Sequence, residues 1–282
     1  MDEAADRTEL WLPLLRSLTA RVPRWLVWKN AESAFTGTGD IDAAAPAEDW
    51  PRIVDEFRAW ALAHDVGPVV VCRHIPGGLN LIATAPSLPT FLEMGTKARR
   101  IWRGATLFVL EDLESMAVVD DRGFRRLRPG AEGVFKLLLN GARRSGRPDE
   151  AALESKHVRE LLRADPEGVR AAADLYGIAA GPLRRAARAA ASGGWDTTAI
   201  LAFQGWMIVR AVVHPNVLWA RLRFRVRGRH ACPVAEAILE GGRRIPGDHA
   251  AWLARVAVDH EVFAAAPASD PATSTPHTAA LP

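Results

Sequence analysis

The chain has 282 residues, more than one average domain, and its 49 % apolar content suffices for a packed core, so a compact domain with a second lobe is expected. Basic residues exceed acidic ones by 36 to 33, and a net charge of +3 is too small to mark a nucleic-acid binder by itself. Cys72 and Cys232 lack any CxxC or Cys/His context and suggest neither a disulfide framework nor a zinc site, while the acidic start MDEAADRTEL lacks a secretory pattern, so a reduced cytoplasm is the expected compartment.

Residues 9–20 carry Leu10, Leu12, Leu14, Leu15 and Leu18 at helical positions. The short apolar run RWLVWKN then reads as a strand, and GTGDIDAAAP as a glycine turn leading into a second one. Asp49 caps a helix with Pro51 in its first turn, in which Ile53, Val54, Phe57, Trp60 and Ala61 recur at helical spacing and Gly67 marks the end. PVVVCRHI, GLNLIATA and PTFLEMGT are three strands with Pro and Gly punctuation, which predicts a meander. Together these elements predict an α+β fold: a small mixed β-sheet lobe over residues 1–108, with a helix packed on it.

Arginine accumulates after about Arg99, and from LEDLESMA onward the signals are nearly all helical. Residues 109–265 are therefore expected as a mostly α-helical lobe, and 266–282, rich in Pro, Ala, Ser and Thr, as a disordered tail. The most apolar segment, TTAILAFQGWMIVRAVVHPNVL, is interrupted by Gln204, Arg210, His214 and Pro215. A spanning helix needs about 20 uninterrupted apolar residues. A buried or half-buried helix is expected instead, with contact to a membrane surface as the alternative. In RLRFRVRGR, Arg221, Arg223, Arg225, Arg227 and Arg229 would share one face of an extended segment or spread around a helix, and either arrangement suits RNA or an anionic membrane surface.

Two aspartates flank Ile41. On a strand, Asp40 and Asp42 would project from one face and repel, with Ile41 in the core, unless a cation sits between them. Magnesium takes oxygen ligands and is satisfied by one or two carboxylates plus substrate phosphates. The glycines beside them would let backbone amides approach a polyphosphate. The plainer reading is a Gly-Asp turn before a solvated strand edge.

LVWKNAESAFTGTGDID resembles the nucleotidyltransferase superfamily, and within it a bacterial family in which a Lys-Asn pair ends a strand and a G-x-D-I-D motif follows. The resemblance covers roughly residues 22–110. It implies that Asp40 and Asp42 are paired ligands for Mg2+ or Mn2+, that Gly37, Thr38 and Gly39 border a nucleoside triphosphate, and that Lys29 reaches a phosphate. It further implies Glu93, in FLEM, as the third carboxylate. The reaction would move a nucleoside monophosphate from an NTP to an acceptor, with pyrophosphate leaving.

Departures from the family pattern keep rivals in view. Ala43, Ala44 and Ala45 stand where large aliphatics are usual, and Gly95 occupies the other position suited to a third acid. A catalytically silent nucleotide- or metabolite-binding module of the same fold, or an RNA- or membrane-surface-binding protein, would also fit. His74 could touch a base or phosphate, and Arg125, Arg126 and Arg128 before a helix start could form an anion site or a solvated loop. G-x-S-x-G and GxxxxGK[ST] are both absent.

Overall fold

The computed structural model describes residues 6–66, 69–72, 78–83, 92–217, 219, 222 and 261–263. The expected tail, His74, Gly67, Cys232 and the arginines of the 221–229 run lie outside them.

The chain adopts the expected α+β class, with a mixed sheet followed by helices. Helix α1 (Thr8–Arg21) turns its leucines inward and stacks Trp11 on Trp60 of a later helix, ring centroids 5.4 Å apart. Strand β1 (Leu26–Lys29) alternates: Val27 joins the α1 core, while Leu26 and Trp28 face a second core. Helix α2 (Ala31–Phe35) leads to β2 (Ile41–Ala44), which pairs antiparallel with β1. Helix α3 (Trp50–Ala63) carries Pro51 in its first turn and buries Ile53, Val54, Phe57, Trp60 and Ala61, as its spacing predicts.

Strands β3 (Val69–Cys72), β4 (Gly78–Ala83) and β5 (Leu92–Lys97) form the expected antiparallel meander. A separate hairpin follows, β6 (Arg99–Trp102) and β7 (Ala105–Val109). After the short α4 (Leu110–Glu114), strands β8 (Ala117–Val119) and β9 (Arg125–Leu127) return to the main sheet, where β9 pairs parallel with β1. The sheet therefore continues past Phe108. Apolar residues of β9 lie too few in number to announce a strand, and pairing with β1 supplies what local propensity lacks.

Helices α5 (Pro129–Lys136, continued by a π-helical turn, Leu137–Gly141), α6 (Glu150–Ser155), α7 (Val158–Ala164), α8 (Pro166–Asp174), α9 (Ala180–Ala191) and α10 (Thr197–Val213) complete the helical part. EAALESKHVRELLRAD reads as one helix but breaks at His157, whose φ of 51° interrupts it. Strand β10 (Glu261–Phe263) pairs with β3, giving the sheet order β10-β3-β4-β5-β2-β1-β9-β8. No helix among the described residues is long and apolar enough to cross a membrane.

Two cores sandwich the sheet. One gathers α1, α3 and the side chains of Val27, Ile41, Ala43, Leu79, Leu81 and Met94; the other gathers Leu26, Trp28 and Ala44 with the helices. The alanines after the DID motif are fully buried, Ala43 and Ala45 in the core of Trp11 and Trp25 and Ala44 in that of Trp28. Helices α5 and α8 approach so closely that a Cβ on Gly130 would lie 1.9 Å from the Asp165 carbonyl oxygen. Gly130→Ala is expected to cost about 3 kcal/mol by overpacking, read as a lower urea midpoint.

Candidate functional site

Lys29 ends β1 where the register slips between Val27 and Lys29, and the irregularity sets Lys29 opposite Asp42. Asn30 follows at φ 70°, a left-handed conformation that asparagine tolerates better than most residues, and it turns the chain into α2. Its amide nitrogen Nδ2 donates to Asp42 Oδ2 at 2.9 Å. Its backbone N–H donates to Glu132 Oε1 of α5 at 3.1 Å.

Glu132 is itself buried, and it accepts from Lys136 Nζ and from Arg126, each at 2.8 Å. Burial pushes its carboxyl up, but Lys136 and Arg126 together outweigh that and hold it below the ordinary carboxylate value. The helix α5 thus anchors the end of β1 from behind.

The turn between α2 and β2 is built inward. Gly37 has φ 71°, and its N–H donates to the Ala34 carbonyl at 3.1 Å, while the Thr38 N–H donates to that of Ser33 at 2.8 Å. The Thr38 hydroxyl lies 3.1 Å from that of Thr36. A Cβ on Gly39 would meet Ser33 Cβ at 2.8 Å, so only glycine lets the chain pass this close to α2.

Beyond the turn, Ile41 is fully buried in the α1 core and Asp42 faces the opposite way with 5 % exposure. Asp42 Oδ2 also meets Lys29 Nζ at 2.5 Å, and its Oδ1 lies 3.9 Å from Lys97 Nζ. Asp40 precedes the strand and is half-buried; burial and the Asp42 charge push its carboxyl up, against the pull of Lys29 and Lys97.

Strand β5 runs parallel to β2 with Met94 opposite Ile41, Gly95 opposite Asp42 and Lys97 opposite Ala44. Alternation then puts Glu93, Gly95 and Lys97 on the same sheet face as Asp40 and Asp42. Burial first, then Asp40 and Asp42, push the Glu93 carboxyl up to about 7, with Lys97 opposing. Burial lowers Lys97, partly offset by Asp42. From β4, Asn80 pairs with Gly95, and its Oδ1 would lie 3.1 Å from a Cβ there.

The result is a half-buried face of three carboxylates and two lysines. Of the residues expected from the sequence, Asp40, Asp42, Glu93 and Lys29 share this sheet face. Sequence reasoning did not single out Lys97, Asn80 or Glu132. Lys97 was within reach, being two positions beyond Gly95 on the same strand face; Glu132 carried no local signal. The arginines before α5 are neither an anion site nor a solvated loop: Arg125 donates to the Pro23 carbonyl, Arg126 pairs with Glu32 and Glu132, and Arg128 grips Asp165 through two nitrogens, at 3.1 and 2.7 Å. The start of α5 is likewise taken, since the Gly130 N–H donates to Asp165 Oδ2 at 3.2 Å.

Among the described residues no group of three His, Cys, Asp or Glu side chains gathers closely enough to hold a metal ion. Asp40 and Asp42 are oxygen donors on one face, and Asp42 already meets two ammonium groups. Lys29 and Lys97 thus supply the positive charge that the two aspartates need, and a hard cation on the pair would have to displace Lys29 from Asp42. Comparison with known proteins found no matching family model, no matching curated protein and no matching solved structure.

Proposed function

We propose that the chain is a metal-dependent nucleotidyltransferase, cytoplasmic in location, that moves a nucleoside monophosphate from a nucleoside triphosphate to an acceptor hydroxyl or phosphate. The observation that carries this reading is the parallel β2–β5 register, with Asp40, Asp42, Glu93 and Lys97 on one face and Lys29 across from Asp42. Asp40 and Asp42 would hold magnesium or manganese, which when bound neutralises the triphosphate and orients its in-line displacement. Lys29 and Lys97 exchange Asp42 for phosphate oxygens as point charges. Glu93, beside Asp40, takes the proton of the acceptor. Gly37, Thr38 and Gly39 would border the triphosphate at the turn before β2, where glycine at 39 lets the chain pass close to Ser33. The acceptor is left open by this face, which carries no feature specific to a sugar, nucleoside or protein hydroxyl.

The test is pyrophosphate release by the full chain with ATP, GTP, CTP and UTP, with Mg2+ or Mn2+, and with pooled sugar phosphates, nucleosides and tRNA as acceptors. Release above background supports transfer. Calorimetric binding of a nucleotide without release from any pool supports a second reading, a silent nucleotide-binding module. Gly95 favours that reading, because it leaves the position opposite Asp42 without a carboxylate.

Gly95→Asp tests whether this face holds the cation that both readings share. A carboxylate there would face Asp42, displacing only the end of Asn80, and Mn2+ affinity is expected to rise about tenfold as the charge count of the site increases. Paramagnetic resonance of free Mn2+ reads the change. Unaltered affinity would mean that this face is not where the cation binds.

A further inference from the structure

A second feature lies outside the carboxylate face. A groove of about 1050 Å3 runs between the tip of the β6–β7 hairpin, the chain just after the π-helical turn of α5, and the C-terminal end of α10. Arg103, Arg143 and Arg144 line it against one acid, Asp149. Asp149 pairs with Arg143 at 3.4 Å; among the described residues neither Arg103 nor Arg144 has an acidic partner. Arg103 sits at the hairpin tip with φ 49°, its guanidinium over the Trp102 ring at 4.6 Å, and its buried Nε has no hydrogen-bond partner among the described residues. Burial first, and then the positive charge of Arg144, disfavour its charge.

The same groove opens onto an apolar surface. From Thr197 to Val209 helix α10 carries no charged residue, and beyond the face that buries Phe203, Met207 and Ala211 it turns Ile208, Val209, Val212 and Val213 outward. After Pro215 the chain makes a further turn, with the Trp219 N–H donating to the Pro215 carbonyl at 2.8 Å. Trp219 and Leu222 continue the apolar surface, and with the four α10 side chains they are 50–67 % exposed. Leu222 itself is embedded in the arginine-alternating sequence RLRFRVRGR. Of these six, Ile208, Trp219 and Leu222 also line the groove, and exposed apolar side chains gathered in this way mark an interaction site.

We propose that this face docks on an anionic lipid surface, with Arg103 and Arg144 on lipid phosphates and Val209, Val212, Val213 and Trp219 at the level of the headgroups. Charge complementarity selects the occupant. A single-stranded nucleic acid would use the arginines and indoles but leave the valines in water, whereas a lipid interface takes both kinds of side chain at adjoining depths. The helix lies along the surface and does not cross it. The inference is independent of the nucleotidyltransferase reading.

The experiment is flotation of the full chain with phosphatidylcholine vesicles, with and without phosphatidylglycerol. Wild type is expected to float with the anionic vesicles only. The pair Arg103→Ala and Arg144→Ala is expected to weaken binding roughly 30-fold, since each arginine near such a surface contributes about 1 kcal/mol. The pair Val209→Asp and Val213→Asp is expected to abolish it with an unchanged circular-dichroism melt. Absence of flotation by wild type, or flotation that both variant pairs retain, overturns the proposal. So does dimerisation through Val209 and Val213, or retention of single-stranded RNA through Arg103 and Arg144, without vesicle binding.

Discussion

Glu132→Ala is expected to lower the stability of the folded chain by about 3–5 kcal/mol, the range for removing one partner from a buried ion pair. The carboxylate is 3 % exposed and serves three donors at once: Lys136, Arg126 and the backbone N–H of Asn30. Without it, Lys136, itself 3 % exposed, keeps only the Lys156 carbonyl at 3.3 Å, and Arg126 falls back on Glu32 and Asp120. Urea unfolding measures the loss, and a midpoint within error of wild type would show that α5 does not depend on this charge. Because Glu132 is held below its ordinary value of 4.5, its contribution is complete above that value and is lost as the pH falls through the folded one. Glu132→Gln should therefore flatten the acid side of the stability profile. It should also loosen Asn30, whose amide orients Asp42, so a lower nucleotide affinity is expected to accompany it.

On the transferase proposal, Asp42→Asn is expected to reduce nucleotidyl transfer by about 10²–10³-fold, the loss typical of removing one preorganised charge-stabilising group. The substitution nearly preserves shape but leaves Lys29 and Lys97 without the carboxylate they share. Pyrophosphate release at saturating nucleotide reads it, with Asp55→Asn on the exposed side of α3 as a control expected to keep the wild-type rate. Full activity of the Asp42 variant would refute the transferase proposal. Loss of cation-dependent nucleotide binding by Asp42→Asn in a chain that never turns over would instead fit the silent module.

Much of the face was legible before any fold was known, because its first half is local. Asp40, just before the strand, and Asp42 keep the two-residue period, and the apolar Ile41 selects which side enters the core of α1 and α3. Helices α1 and α3 were equally legible, since their buried residues recur at helical spacing. Less legible were β8 and β9. They are three residues each, and Arg125 and Arg126 in β9 read as a basic loop until the Pro23 carbonyl takes Arg125 and ion pairs with α2 and α5 hold Arg126.

The sequence by itself determined that two carboxylates share one side of a strand behind a glycine turn, and that α10 would be too interrupted to span a membrane. Only the tertiary structure decided what surrounds them. Parallel pairing of β2 with β5 places Glu93 and Lys97 beside the aspartates, and α5 brings Glu132 to Asn30 across 102 positions of chain. Periodicity is a property of neighbouring residues and survives in the sequence. Register between distant strands is set by which faces can be buried together, and that is settled only when both cores close on the sheet.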